Sequence, residues 1–305
     1  MRPLLTDEQF ATLVDVRVED PGRIAAAMAA RRRRERMTVD GALFIVAADH
    51  TARGMIGVPG DPHAMVDRRS MLDRLLLAMR NPRVDGVLAS ADILEDLVVL
   101  GALDDRVAVG TMNRGGLAGA SWELDDRFTA YDADHLARSN LDAGKMLLRI
   151  DPDDAGTVPT LAACAAAVGE LNDRRMLAMV EPIPYTKDAA GKAVWAGDPD
   201  ALLQAVGVCA GLSGSSAYTW LKIQATADIA AVAAMTTQPL LILGGSPGPD
   251  PDATFASWAR ALAEPTVRGL VVGRALLYPA DGDVESAVAR AADLVTASTS
   301  RRVPA

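Results

Sequence analysis

Eight short, nearly continuous apolar runs, separated by helix-like stretches, constrain this chain more than any other feature. They are Ala42–Ala48, Val84–Ser90, Val107–Thr111, Lys145–Ile150, Met176–Glu181, Tyr218–Ile223, Leu240–Leu243 and Gly269–Val272. Each is too short for a typical helix and apolar on both faces, as strands buried on both sides are. The segments between them read as helices over 64–80, 92–101, 132–143, 158–172, 199–210, 226–236, 252–264 and 283–297. Caps and first-turn prolines support several of these, among them Thr157-Val158-Pro159 and Asp198-Pro199. A strand followed by a helix, eight times over, predicts a single (β/α)8 barrel. The competing open, doubly wound sheet calls for a glycine-rich loop after its first strand. Here that strand ends in Ala48-Asp49-His50-Thr51, with no GxGxxG spacing.

The barrel is expected over 39–298, preceded by a helical extension over 1–38 and followed by a tail over 299–305. In the extension, Asp7–Val14 and Arg23–Arg36 read as helices, the second closing on RRRRER at 31–36. Its cations are expected to be solvated at a helix end and to complement the dipole there. A nucleic-acid patch is disfavoured by 40 acidic against 31 basic residues and a net charge of −9, which also argues against an anionic membrane surface. Hydrophobic residues make up 50% of the chain, enough for a sizeable core, and no apolar run reaches the roughly 20 residues of a membrane span. The start, MRPLLTDEQF, lacks the apolar stretch of a signal peptide, so a cytoplasmic location is expected. Cys164 and Cys209 then read as two buried thiols rather than a disulfide framework. Two long loops, 111–131 and 182–198, follow strands and so belong to the face where barrel active sites are built. They are expected to act as lids or binding loops.

Chemistry enters with the lysines. Only four occur, Lys145, Lys187, Lys192 and Lys222, against a background of arginine, so a lysine within an apolar run calls for a reason. Lys222 lies late in strand six, with its amine expected at the barrel mouth, where burial lowers the pKa. A neutral amine near pH 7 is the nucleophile that forms a Schiff base with a carbonyl. Lys145 begins strand four and shares a face with Leu147, Arg149 and Asp151. A second cation there would help keep Lys222 neutral. Asp49 ends strand one and Glu181 ends strand five, two acids placed to shuttle protons.

These pieces resemble a known family. FIVAADH (44–50), GKMLLRID (144–151), AMVEPIP (178–184), TWLKIQ (219–224), LILGGSPG (241–248) and VVGRALLY (271–278) are similar, in order and spacing, to class I Schiff-base aldolases of the tagatose-bisphosphate type. Archaeal-type fructose-bisphosphate aldolases are more distant relatives, and barrel proteins of actinobacterial inositol catabolism are closer. The resemblance covers about 42–280, leaving the extension and the loop 111–131 outside. It implies Lys222 as the Schiff-base residue, Lys145 as its cationic neighbour, and Asp49 and Glu181 as acid/base residues. It also implies dihydroxyacetone phosphate as the retained half of the substrate.

Gly244-Gly245-Ser246 after strand seven and Gly273-Arg274 after strand eight are candidates for the phosphate site that barrels build from those two loops. Arg149, about 13 Å along the strand from Lys145, is expected near the mouth, with its fork either free for a substrate carboxylate or paired with Asp151 or a neighbouring loop acid. A free fork, together with the resemblance to barrel proteins of inositol catabolism, favours a keto sugar acid, with 2-deoxy-5-keto-gluconate 6-phosphate implied by that resemblance, over a neutral ketose bisphosphate, a deoxyribose phosphate or a sulfo-sugar phosphate. A sugar-phosphate-binding barrel without catalysis is the alternative of another class. A zinc site from His50, His63 and His135 is disfavoured, because a strand end, a loop and a helix do not converge. The expectation is therefore a class I carbon–carbon lyase needing no metal or cofactor, acting on a phosphorylated small molecule; a homo-oligomer is compatible with it.

Overall fold

The protein is described here by a computed structural model covering residues 4–300, so the last five residues of the expected tail lie outside the described residues. Helices α1 (Asp7–Glu19) and α2 (Gly22–Ala30) precede β1 (Leu43–Ala47). There follow α3 (Arg68–Met79), β2 (Gly86–Ala89), α4 (Ala91–Val99), β3 (Val107–Thr111), α5 (Ala133–Arg138), β4 (Ala143–Ile150) and α6 (Thr157–Asp173). The second half runs β5 (Leu177–Lys187), β6 (Ala193–Trp195), α7 (Pro199–Ala210), β7 (Thr219–Gln224), α8 (Ile229–Ala234) and β8 (Leu240–Leu243). It ends with α9 (Pro251–Ala261), β9 (Val267–Val272), α10 (Arg274–Leu277) and α11 (Val284–Ser300).

Eight strands pair in parallel in the order β4-β3-β2-β1-β9-β8-β7-β5, and β4–β5 pairing closes the barrel. The expected (β/α)8 architecture is thus present, with helices before the first strand. Strand alternation divides the core in two. Leu43, Ile45, Ala47, Val109, Met179, Leu241 and Val271 fill the inside of the barrel. Phe44, Val46, Val87, Met146, Val180 and Leu270 face the helices. All are nearly inaccessible to water, which is why the strand sequences read as unbroken apolar runs.

Three predicted segments differ. The second helix stops at Ala30, so the arginine run lies beyond it, and Arg31, Arg32, Arg33 and Arg34 are paired with carboxylates. Arg31 and Arg33 hold the two oxygens of Asp142 at 2.9 and 2.8 Å, and Arg34 holds Asp85 at 2.7 Å. Asp142 and Asp85 also accept the backbone N–H groups of Ala108 and Phe44. The arginines therefore fasten the extension to the carboxylates that cap the bottom of the barrel. The expected helix over 132–143 ends at Arg138, and β4 already begins at Ala143. The loop 182–198 is mostly strand: β5 runs on to Lys187, and β6 folds back antiparallel on Tyr185–Lys187.

Candidate active site

Register aligns the catalytic candidates. Lys145 lies opposite Met179 and Leu147 opposite Glu181 across β4–β5. Val180 lies opposite Leu221 across β5–β7, which puts Glu181 and Lys222 one step further towards the mouth. Side chains of Lys145, Glu181 and Lys222 meet inside the barrel. The carboxylate of Glu181 bridges the lysines: Oε2 is 2.5 Å from Lys145 Nζ and Oε1 is 3.1 Å from Lys222 Nζ. Lys145 Nζ is also 3.6 Å from Asp49 Oδ2, and Asp49 pairs with Arg114. Arg114, Asp49, Lys145, Glu181 and Lys222 thus form one buried row of alternating charge.

Three cations in that row face two carboxylates, and this imbalance sets the protonation state. Arg114 stays charged; burial, above all, brings it down to about 10, still well above neutral pH. It offsets Asp49. Glu181 offers one further negative charge to two lysines, and the attraction of Lys145 and Lys222 overcomes the cost of burial and holds its carboxyl far below the usual range. Burial is the largest influence on both amines and pushes both below the ordinary lysine value, with the Arg114 charge adding to it. Titration of so close a pair belongs to the pair. Of the two amines, Lys145 has the shorter contact to Glu181 and a second carboxylate within reach.

These residues line a cavity of about 420 Å³ at the C-terminal end of the strands. Gly244, Gly245, Ser246, Gly273 and Arg274 line the same cavity, so both glycine turns converge there with Asp49, Lys145, Glu181 and Lys222. Gly273 is required by contact: a Cβ would lie 2.3 Å from the Ala47 carbonyl oxygen and 2.6 Å from the His50 ring.

Arg149 does not join them. Its strand parity is as expected, but the side chain is fully buried outside the cavity lining. Glu123 and Asp126 of the loop 111–131 each bind it at 2.9 Å, and the Gly116 carbonyl accepts a third bond. With its fork committed to two protein carboxylates, the expected free carboxylate-binding Arg149 is corrected to a residue that anchors this loop.

Sequence reasoning missed several cavity residues. Arg114 lies three residues past the end of β3 and Arg53 four residues past Asp49, both just beyond strand ends on the active-site face. That position was their available signal. Tyr185 and Trp195 reach the cavity from the β5–β6 hairpin. His50 lines it as well. Burial first, then Arg274 and the two lysines, hold this imidazole neutral, and its Nδ1 has no hydrogen-bond partner among the described residues. His63 lies in an exposed loop, and His135 is exposed on α5, 2.8 Å from Asp132. No cluster of three or more His, Cys, Asp or Glu residues suited to a metal ion occurs among the described residues, and no described helix is long and apolar enough to cross a membrane.

Comparison with known proteins adds the family. A crystal structure of Cgl0159 from Corynebacterium glutamicum (Brevibacterium flavum) is 47% identical, with a TM-score of 0.94 over 97% of this chain and 99% of that one. An archaeal fructose-1,6-bisphosphate aldolase, with its catalytic lysine covalently bound to the carbinolamine intermediate, is 18% identical, with a TM-score of 0.64 over 89% and 99% of the two chains. A fructose-bisphosphate aldolase from Slackia heliotrinireducens is 13% identical, with a TM-score of 0.57 over 98% and 93%. At these identities the two aldolases show a shared fold. No curated protein matches the sequence. The model for Cgl0159-like proteins matches residues 41–292, and the chain belongs to the Cgl0159-like family.

Proposed function

We propose that the protein is a class I aldolase, cleaving a phosphorylated keto sugar through a Schiff base on Lys222. The observation that carries this reading is the single carboxylate of Glu181 shared between two buried lysines, which leaves one of them unprotonated. In the cleavage direction the Lys222 nitrogen attacks the substrate ketone and forms a carbinolamine. Glu181, in contact with that nitrogen, relays to the departing hydroxyl a proton drawn from solvent, and water leaves as the protonated imine forms; hydrolysis of the imine at the end returns that proton. Asp49 takes the proton of the hydroxyl carried by the far carbon of the bond to be broken. That bond opens, the aldehyde departs, and the electron pair passes into the imine to give an enamine. Protonation of the enamine carbon and addition of water then release the ketone product and restore Lys222. Lys145 stays protonated throughout and returns Glu181 to its ionised form after each proton relay.

The two converging glycine turns with Arg274 support a phosphorylated substrate, with dihydroxyacetone phosphate as the retained half. The cavity volume suits a small sugar phosphate. The shared fold with an aldolase caught as a carbinolamine agrees with the chemistry. Preference for a sugar acid rested on Arg149 and on the resemblance to inositol-catabolism barrels; with the residue-level support gone, the proposal names a phosphorylated ketose.

Proton exchange tests the reading without knowledge of the aldehyde. Dihydroxyacetone phosphate incubated with the enzyme in D2O and excess chelator should lose one C3 proton signal by NMR, because enamine formation labilises it. Lys222→Ala should abolish the exchange. A barrel that only binds sugar phosphates would leave the signal intact, and exchange lost on chelation would point to a metal-dependent mechanism.

A further inference from the structure

The free positive charge of the cavity is concentrated on one rim. Arg53 closes the 3-10 turn Thr51–Arg53 after β1, and Arg274 opens α10 after β9. Strands β1 and β9 are hydrogen-bonded neighbours, Val46 opposite Val272, so the two turns leave the barrel side by side. The backbone at Gly273 packs directly on the Ala47 carbonyl and the His50 ring. Both guanidinium groups line the cavity, and each residue is only 9% exposed.

Neither arginine is fully used by the protein. Arg274 has no carboxylate within salt-bridge distance among the described residues. The one carboxylate on Arg53 is Glu123, 2.5 Å from Nη2, and its same oxygen Oε1 also takes Arg149 at 2.9 Å. Glu123 and Asp126 therefore carry two negative charges against Arg53, Arg149 and Arg274. The Nε of Arg53 and that of Arg274 are both buried with no hydrogen-bond partner. The repulsion is felt directly: burial pulls Arg274 below its ordinary value, and the Arg53 charge pulls it further. Two like charges at a low-dielectric rim, with spare donors and one charge uncompensated, make a site for an anion.

We propose that Arg53 is the second arm of the phosphate site, closing with Arg274 on the terminal phosphate dianion of the substrate from the opposite side to the Gly244–Ser246 turn. The proposal rests on the phosphorylated-substrate reading above. A phosphate monoester matches the rim better than a carboxylate does, because three non-bridging oxygens can meet two forks and a backbone turn at once. Arg53 is a binding residue that orients the retained half of the substrate; Glu123 holds it in place from the far side.

Titration calorimetry with inorganic phosphate tests the clamp in wild type, Arg53→Gln and Lys222→Ala. The expected result is saturable binding in wild type and in Lys222→Ala, with affinity lower by roughly tenfold or more in Arg53→Gln, the size of a lost charge-assisted bond. Should Arg53→Gln fail to fold, Arg53→Lys keeps a charge for Glu123 but has no fork; weakened phosphate binding there supports the clamp, and wild-type affinity overturns it. Absence of phosphate binding in wild type, or equal affinity in Arg53→Gln, overturns it as well. The two readings separate cleanly. Phosphate binding that depends on Arg53, without proton exchange on dihydroxyacetone phosphate, keeps the clamp and removes the aldolase. Exchange at Lys222 with phosphate affinity indifferent to Arg53 does the reverse.

Discussion

Replacing Lys145 by Met is the perturbation that most exposes how the site sets its charge. In the native row Lys145 neutralises Glu181 at 2.5 Å, and Glu181 has only a shared hold on Lys222 at 3.1 Å. Met fills a similar volume in the barrel interior but carries no charge. Glu181 would then have Lys222 as its sole cationic lysine, and a proton on Lys222 would gain the whole attraction. The two contacts through one carboxylate place the lysine nitrogens no more than about 8 Å apart. At an effective dielectric of about 20, one charge at that distance is worth about 2 kcal/mol. That corresponds to about 1.5 pH units. Because the reactive form is the neutral amine, imine formation rises with pH through the folded pKa of Lys222. A raised pKa displaces that rise to higher pH. The assay is the rate of imine formation with dihydroxyacetone phosphate from pH 5 to pH 10, wild type against Lys145→Met. A rise displaced upward by about one to two pH units is expected, with the plateau at high pH largely kept. An unmoved limb, or one displaced downward, would refute the argument that Lys145 keeps Lys222 deprotonated.

Glu123→Ala should cost about 3–5 kcal/mol in urea unfolding, or roughly 6–10 °C in Tm, because it strips a shared carboxylate from two buried arginines; a loss below about 1 kcal/mol would mean the pairing behaves as an exposed one. Lys222→Met should raise Tm near pH 7 by about 2 °C, equivalent to ~1 kcal/mol. Its sign follows from the lowered folded pKa: below the ordinary lysine value the unfolded chain binds the proton more readily, so Lys222 costs stability at neutral pH and costs less as pH rises towards 10.5. The gain in Lys222→Met should therefore shrink between pH 7 and pH 10 in calorimetric scans, and a Tm that falls at pH 7 would mean that Lys222 is protonated and paired.

The barrel was legible because parallel strands covered by helices on one side and a filled interior on the other leave no polar face to interrupt the pattern. The residues the pattern hid are informative. Ala143-Gly144 belong to β4, yet their small side chains carry too little apolar signal to extend the run. The prolines of Pro182-Ile183-Pro184 read as a loop, but β5 continues through them. After Val180 the strand has left its β7 partner and pairs there with β4, and an edge tolerates the missing N–H of proline. Arg149 shows where local reasoning stops. Alternation placed its side chain on the inner face, but its partners Glu123 and Asp126 lie 26 and 23 residues away in a loop of no regular pattern. The arginine run 31–36 failed as a helix for the same reason: Asp85 and Asp142 recruit it over distances at which propensity carries no information. Within the site, the lysines and acids on strands stood out against apolar neighbours, whereas Arg53, Arg114 and His50 follow strand ends in polar surroundings and carry no such contrast.

Reductive trapping measures the central claim most directly. Incubating the protein with dihydroxyacetone phosphate and borohydride, then mapping peptides by mass, should place one reduced triose phosphate adduct on the peptide containing Lys222, with none in Lys222→Ala. An adduct on Lys145 would reverse the roles assigned to the two lysines, and a protein left unmodified would contradict the Schiff-base mechanism altogether.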